Sequence, residues 1–309
     1  MSTQPIVAFA TPTATPRWQR WAVYSPPARI VIFVLLTTAI SLTIGSVLRL
    51  SGWHGGHAES VSFGLVQWLM RALPPLLASL VQVPLVERRP LAELAPRKLL
   101  PQGVLGLVAG TLLFSTVVGV LWLLGVYHVV GFNPQAAWLP ALRMVGLGAG
   151  IGEEIMFRGV LFRVVEEGLG TWAALLVSAL FFGLAHAGNP GATAWSSAAI
   201  AIEAGLLFGL LYHVTRSLPL CMGLHAAWNF AQGTIYGVPV SGLKADGWLV
   251  STRSGPDWLS GGVFGAEASV IALGLCSLCT LGLLIVALRR GSMVPCRPWQ
   301  RLLERFSRR

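Results

Sequence analysis

The sequence predicts an all-α membrane protein, a polytopic helix bundle with about eight transmembrane helices. Two observations support this fold class. Hydrophobic residues make up 54% of the 309 residues and charged residues only 11%, whereas soluble domains carry about 25% charged residues. Long apolar segments also recur along the chain, and about 20 such residues cross a bilayer as a helix.

Taken in chain order, the apolar segments predict eight spans. They cover residues 30–49, 63–86, 103–126, 139–165, 171–187, 195–214, 218–236 and 267–288. The fifth span is short because the sequence Gly-Asn-Pro-Gly at 188–191 is a strong turn signal. No stretch between the spans is long enough for a second domain, so residues 30–288 are predicted to form one transmembrane bundle.

Both ends of the chain are predicted to be tails. Residues 1–29 are rich in Ser, Thr and Pro and indicate a flexible cytoplasmic N-terminal tail. Residues 289–309 are basic, and Trp299, Leu302 and Phe306 recur there at helical spacing. This pattern predicts an amphipathic cytoplasmic helix that lies on the inner leaflet.

The net charge of +10 indicates contact with lipid rather than with nucleic acid. Seven of the 22 basic residues follow Leu288 and are therefore juxtamembrane, where they attract anionic headgroups. Basic residues are also concentrated in alternate loops. The positive-inside rule then predicts a multi-pass protein of the inner (plasma) membrane with both termini in the cytoplasm.

A charged stretch interrupts the fourth span. Residues 152–158 read Gly-Glu-Glu-Ile-Met-Phe-Arg, inside a segment of apolar and small residues. A charge at the centre of a membrane helix costs about 2.5–3.5 kcal/mol on insertion scales. Glu154 and Arg158 are spaced i, i+4 and are expected to form an ion pair. Glu153 is turned about 100° away, which leaves it free to act as a general base.

Three polar side chains on later spans are candidate partners of Glu153. His186 lies in span five, and His225 and Asn229 share one face of span seven. With Glu153, the two histidines can polarise a water molecule, or they can ligate Zn²⁺ as the trio Glu153, His186 and His225. Asn229 can donate its amide to a developing oxyanion. Glu203, in span six, is expected to be an interhelical hydrogen-bond partner.

The remaining four histidines lie at predicted span ends, where a solvated or interfacial position is expected: His54, His57, His128 and His213.

The polar set of Glu153, His186, His225 and Asn229 fits hydrolysis of an amide or ester inside the membrane. The chain contains neither H-E-x-x-H nor G-x-S-x-G, so a zincin site and an α/β-hydrolase nucleophile elbow are both excluded.

Three motifs resemble, in order, those of the CPBP family, the intramembrane metalloproteases that include CAAX prenyl endopeptidases, bacteriocin-processing proteins and abortive-infection proteins. They are Glu153-Glu154-x-x-x-Arg158, Phe182-x-x-x-His186 and His225-x-x-x-Asn229, and they span a core of about residues 140–235. The resemblance implies an eight-helix endopeptidase in which Glu153 and His186 activate water. It further implies that His225 and Asn229 stabilise the oxyanion, while Glu154 and Arg158 shape the site.

The sequence leaves open whether the mechanism depends on a metal and which of several functions the protein has. The resemblance allows either a metal-dependent or a metal-free glutamate mechanism. The expected partners are a membrane-associated protein or peptide substrate and the lipid bilayer. The alternative functions are a non-proteolytic immunity or scaffold protein of the same family and a proton-coupled transporter. The transporter is disfavoured because the sequence shows no repeated halves.

Overall fold

The structure is a computed structural model that describes residue 9, residues 11–53 and residues 61–296. We number as α1–α9 the helices longer than one turn in these residues. They are α1 (Arg17–Ala22), α2 (Pro26–Leu50), α3 (Val61–Val81, continued by a π-helical turn at Gln82–Val86), α4 (Pro96–Leu123), α5 (residues 138–169), α6 (Thr171–Ala185), α7 (Ala194–Thr215), α8 (residues 218–235) and α9 (Val270–Arg289). Shorter helical turns lie at Ala92–Leu94, Asp257–Ser260 and Ala266–Ala268. The predicted all-α membrane bundle is confirmed.

Four of these helices include a π-helical segment, and in α3 it is the last turn, Gln82–Val86. In α5 the segments are Trp138–Ala141, Leu142–Gly148 (π), Ala149–Glu154, Ile155–Phe162 (π) and Arg163–Leu169. In α7 they are Ala194–Ile200, Ala201–Leu206 (π) and Leu207–Thr215, and in α8 they are Leu218–Phe230 and Ala231–Ile235 (π). Such π-helical turns are frequent at functional sites, and α5, α7 and α8 carry most of the polar residues discussed below.

Every predicted span corresponds to a helix. In the described part of the chain, five helices are long and apolar enough to cross a membrane, namely α2, α3, α4, α7 and α9. The other three depart from a simple span in identifiable ways. Helix α6 has only 15 residues, α5 contains the charged stretch, and α8 ends in a π-helical turn. The chain is therefore a multi-pass membrane protein with a polar centre.

The segment predicted as a flexible N-terminal tail contains regular structure where it is described. Helix α1 forms at Arg17–Ala22, and α2 begins at Pro26 rather than near Ile30. The Ser25 side chain caps α2 by accepting a hydrogen bond from the Ala28 amide, and proline is well suited to a first helical turn. The predicted C-terminal amphipathic helix lies outside the described residues, as do His54 and His57.

A two-stranded antiparallel sheet, not predicted from the sequence, connects two distant loops. Strand β1 (Tyr127–Phe132) follows α4, and strand β2 (Leu249–Arg253) lies in the long connection between α8 and α9. The Asn133 amide extends the pairing by donating to the Trp248 carbonyl. The sheet thereby helps to order the connection that delivers Ser241 and Glu267 to the site described below.

Glycines set the closest helix contacts around the centre of the bundle. A Cβ at Gly150 of α5 would lie 2.9 Å from the Ala226 nitrogen and 3.0 Å from the Met222 carbonyl oxygen of α8. Gly152 packs in the same way against the Arg71 backbone of α3. Small residues allow such close approach between membrane helices, so the glycine-rich run before Glu153 brings α5 against α8.

A buried arginine–glutamate network joins α2, α3 and α5 at the end of the bundle where α2 begins. It consists of Arg29, Glu87, Arg89, Glu93, Arg163 and Glu167. Glu87 is its centre, with Oε1 2.8 Å from Arg163 Nη2 and 3.3 Å from Arg29 Nη1. Arg29, Arg89 and Arg163 are among the basic residues on the predicted cytoplasmic side, and their ion pairs also hold the bundle together.

His213 is buried, contrary to the solvated or interfacial position expected for it. Only 3% of the residue is exposed. Its Nδ1 lies 2.6 Å from Glu166 Oε1, and its Nε2 lies 3.0 Å from Ser292 Oγ. The chain after α9 therefore packs back onto the end of α7, which the local sequence around His213 does not reveal. His128 is exposed, as expected.

Candidate functional site

The Glu154–Arg158 pair is present and lies at the centre of the site. Arg158 Nη1 donates to Glu154 Oε1 at 3.0 Å, and Nη2 donates to the Ala204 carbonyl at 2.9 Å. Neither side chain is exposed. The guanidinium carbon also lies 4.5 Å from the Phe182 ring centroid and 4.9 Å from that of Phe208. Removing one partner would leave an uncompensated buried charge.

Glu154 also binds His225, which the sequence did not predict. The distance from His225 Nδ1 to Glu154 Oε1 is 2.9 Å. A carboxylate paired with an arginine can only accept hydrogen bonds, so Nδ1 of His225 carries a proton. The imidazole is further stacked on Phe208, with ring centroids 5.4 Å apart. Glu154 thus fixes both the orientation and the tautomer of His225.

His186 is held in an equivalent way from a different helix. It occupies the C-cap position just after α6 rather than the interior of the span. Its Nδ1 lies 2.8 Å from the Phe182 carbonyl oxygen, which is likewise only an acceptor. Both histidines therefore have Nδ1 bound to an acceptor of the scaffold and Nε2 available for chemistry.

The two available nitrogens face the same atom of Glu153. Glu153 Oε2 lies 3.9 Å from His186 Nε2 and 4.0 Å from His225 Nε2. This oxygen is buried and has no hydrogen-bond partner among the described residues, whereas the side chain as a whole is 24% exposed. Three residues that are 33 to 72 positions apart in sequence thus meet at one point in the bundle.

Asn229 lies one helical turn beyond His225 and has one of its amide hydrogens engaged. Its Nδ2 donates to the Val145 carbonyl at 2.9 Å, and a primary amide has a second N–H to donate. Asn229 lines two cavities. The smaller one also contains His186 and His225, and the larger one is bounded by α5 and the connection after α8. The residue therefore stands at the boundary between the site and an apolar recess.

Two further carboxyl groups, those of Glu203 and Glu267, line the smaller cavity. Glu203, expected to be an interhelical hydrogen-bond partner, has a buried Oε2 without any such bond in the described structure. Glu267, from the short turn before α9, accepts hydrogen bonds from the Ser241 amide at 2.6 Å and the Ser241 hydroxyl at 2.7 Å. Glu267 was not predicted from the sequence, because only the long connection after α8 brings it here.

The three expected metal ligands can be compared with the geometry of a bound ion. Two Zn²⁺ ligands at about 2.1 Å in a tetrahedral arrangement lie about 3.4 Å apart, less than the 3.9 and 4.0 Å found here. Within the described ranges, no group of three or more His, Cys, Asp and Glu side chains has metal-holding geometry. The side chains as placed therefore do not fit Zn²⁺, and metal binding by Glu153, His186 and His225 stays a prediction.

Comparison with known proteins agrees with the motifs. Residues 135–231 match the family described as "Rce1-like: Type II CAAX prenyl endopeptidase Rce1-like". This segment contains all six residues singled out from the sequence, and it confirms the resemblance to the CAAX protease family over that range. No curated protein and no solved structure matches the chain. The family is one of proteases, which supports peptidase activity in general.

Proposed function

We propose that this protein is an intramembrane endopeptidase that hydrolyses a peptide bond with water activated by Glu153 and His186. The observation that carries the proposal is the meeting of Glu153 Oε2 with the two histidine Nε2 atoms at 3.9 and 4.0 Å. A carboxylate oxygen without a hydrogen-bond partner, flanked by two oriented imidazoles, is an arrangement suited to general base catalysis.

The spacing of these groups suits a water molecule held between them. Direct hydrogen bonds are excluded at these distances. A single water that makes two hydrogen bonds of about 2.8 Å, meeting near a right angle, spans about 4 Å. Such a water is in reach of Glu153 Oε2, which accepts its proton, and of His186 Nε2, which orients its oxygen.

The reaction then follows from the positions of the remaining groups. The water oxygen attacks the carbonyl carbon of the scissile peptide bond while Glu153 takes the proton. His225 and the second amide hydrogen of Asn229 stabilise the oxyanion that forms on the carbonyl oxygen. His225 donates from Nε2 as an imidazolium, a form that the Glu154 carboxylate at Nδ1 stabilises. Glu153 returns its proton to the leaving amine as the C–N bond breaks.

Glu154 and Arg158 act through position rather than by contact with substrate. Arg158 makes the buried Glu154 carboxylate tolerable, and Glu154 in turn orients His225. A hydrogen-bonded partner that fixes a catalytic imidazole is a general feature of hydrolytic sites. We therefore assign these two residues a supporting role.

The substrate is proposed to be a membrane-associated protein or peptide, and the family description points to CAAX processing as the first class to examine. We further propose the inner (plasma) membrane, with both termini cytoplasmic. The basic residues favour this orientation, since Arg29 and Arg163 meet at one end of the bundle around Glu87.

A comparison of membrane proteomes tests the function. Cells that express the wild-type protein or Glu153→Gln at equal levels are compared by mass spectrometry of new protein termini, with Asp257→Asn, at an exposed carboxylate, as the matched control. We expect termini that appear in the wild type and the control and disappear in Glu153→Gln. Cellular activity that survives fully in Glu153→Gln would favour the non-proteolytic scaffold instead.

A further inference from the structure

Six glutamates are buried in the described part of the chain, and two of them lack a cationic partner. The six are Glu87, Glu93, Glu154, Glu166, Glu203 and Glu267, each 3% exposed or less. The first four form ion pairs with arginine or histidine side chains. In the described structure, Glu203 and Glu267 form none, although burying a carboxylate without a partner is costly.

The two exceptions are not scattered through the bundle. Both line the smaller cavity, which also contains His186, His225 and Asn229. Glu203 reaches it from the π-helical part of α7, and Glu267 from the turn that precedes α9. Two unpaired carboxyl groups thus face the space next to the atoms proposed to cut the peptide bond.

The two groups differ in how firmly they are held. Glu267 is anchored by Ser241, whose amide and hydroxyl both donate to its Oε1. Glu203 Oε2 is buried and receives no hydrogen bond among the described residues. A buried acceptor with no donor indicates that a donor is supplied from outside the chain. Glu267 is therefore fixed in position, and Glu203 provides the open acceptor.

The chemistry of the cavity favours an organic cation over a metal ion. No group of three or more metal-ligating side chains with suitable geometry occurs in the described ranges. The other walls include the aromatic rings of Phe182, Phe208 and Trp228, whose apolar surface suits the alkyl stem of a long basic side chain. An ammonium group can donate up to three hydrogen bonds.

We propose that Glu203 and Glu267 form an acidic subsite that receives a lysine or arginine side chain of the substrate, at a position flanking the scissile bond. This inference rests on the proposed function, because it names the substrate preference of the same site. The incoming cation is the ion-pair partner that Glu203 and Glu267 lack within the described structure. Glu203 Oε2 accepts one of its hydrogen bonds.

Cleavage of matched peptides tests the preference. A peptide taken from a cut site of the proteome comparison is prepared with lysine or with the uncharged isostere norleucine at each flanking position. For wild-type protein in proteoliposomes we expect kcat/KM for the best lysine peptide to exceed that for its norleucine counterpart by about 10-fold or more, as a charge-assisted hydrogen bond supports. In Glu203→Gln the ratio should fall towards one. A ratio near one in the wild type, or an unchanged ratio in Glu203→Gln, overturns the proposal.

A binding measurement separates this inference from the proposed function. The purified full-length protein is titrated with n-butylamine, the analogue of a lysine side chain, and with n-butanol, and its thermal unfolding is followed. We expect n-butylamine alone to raise the melting temperature of the wild type, and Glu203→Gln and Glu267→Gln each to lose the effect. Stabilisation without any peptide cleavage would keep the subsite and reject the protease. Equal effects of the amine and the alcohol would reject the subsite, whatever the enzyme does.

Discussion

Glu154 Oε1 lies 2.9 Å from His225 Nδ1 and 3.0 Å from Arg158 Nη1. One carboxylate oxygen therefore connects the ion pair that makes charge tolerable in the membrane with the histidine proposed to stabilise the oxyanion. Substitution of Glu154 or Arg158 is therefore expected to affect both the ion pair and the orientation of His225.

Glu154→Gln is expected to reduce cleavage more than it reduces stability. The amide still fits beside Arg158, but it can present an N–H to His225 Nδ1 and so select the wrong tautomer. Loss of a tautomer-fixing partner costs about 10⁴ in kcat in a serine protease, and we expect a loss of about 10²-fold or more here. The measurement is kcat on a reporter peptide, with unfolding followed in parallel. Unaltered kcat would show that Glu154 does not orient His225.

Arg158→Met is expected to destabilise the protein through its partner. It leaves the Glu154 carboxylate buried and without its arginine, a change that typically costs about 3–5 kcal/mol. The double variant Glu154→Gln with Arg158→Met removes the isolated charge and should recover part of that loss. Denaturant unfolding in detergent measures both. A double variant no more stable than Arg158→Met alone would contradict this assignment of the cost.

Gly150→Ala is expected to separate α5 from α8. The new methyl group would meet the Ala226 nitrogen at 2.9 Å and the Met222 carbonyl at 3.0 Å, and overpacking of this kind typically costs about 1–3 kcal/mol. Because the same contact sets Glu153 against His225, activity should fall as well. Gly282→Ala in α9 is the matched control, since nothing lies within 4 Å of its added methyl group. Equal tolerance of both substitutions would argue against the close α5–α8 contact.

The arginine–glutamate network predicts a loss of stability in acid. Burial raises the pKa of Glu87, but Arg163, Arg89 and Arg29 outweigh it and lower the pKa from 4.5 to about 2. Since the folded pKa lies below the unfolded one, the contribution of Glu87 is fully present above pH 4.5 and is lost as the pH falls towards 2. Unfolding measured between pH 6 and pH 3 should show this loss. The slope should be shallower in Glu87→Gln, and an identical slope would contradict the assignment.

Chelation tests the metal-free form of the proposed mechanism. Glu153 Oε2 lies farther from the two histidine Nε2 atoms than two ligand atoms of one Zn²⁺ ion lie from each other. We therefore expect cleavage to survive 1,10-phenanthroline and dialysis against EDTA. Elemental analysis of the purified protein, wild type and His186→Ala, provides the control. Stoichiometric zinc that is lost in His186→Ala, together with inactivation by chelators, would establish the metalloprotease form.

The sequence predicts what depends on local geometry and on motif spacing. The Glu154–Arg158 pair follows from i, i+4 spacing. The lengths of the apolar segments also place most span ends within a few residues. The meeting of Glu153 with His186 and His225 was inferred from the cost of charge in lipid and from the family motifs.

What the sequence did not predict depends on contacts between distant segments. The bond from His225 to Glu154 spans 71 positions, and the one from Arg29 to Glu167 spans 138. Pairing of β1 with β2 and the arrival of Glu267 beside Glu203 are likewise set by how the long connection after α8 folds. Helical periodicity carries no information about such partners, so His213 was wrongly expected to be interfacial or solvated.

The central claim is that Glu153 activates the attacking water, and one measurement tests it most directly. Single-turnover cleavage of a reporter peptide is compared for purified wild type, Glu153→Gln and Asp257→Asn in the same proteoliposomes, with unfolding temperatures recorded for each. We expect Glu153→Gln to retain the wild-type melting temperature and to lose about 10²–10⁴-fold in rate, the contribution typical of general base catalysis, while Asp257→Asn cleaves normally. Cleavage by Glu153→Gln at the wild-type rate would contradict the account.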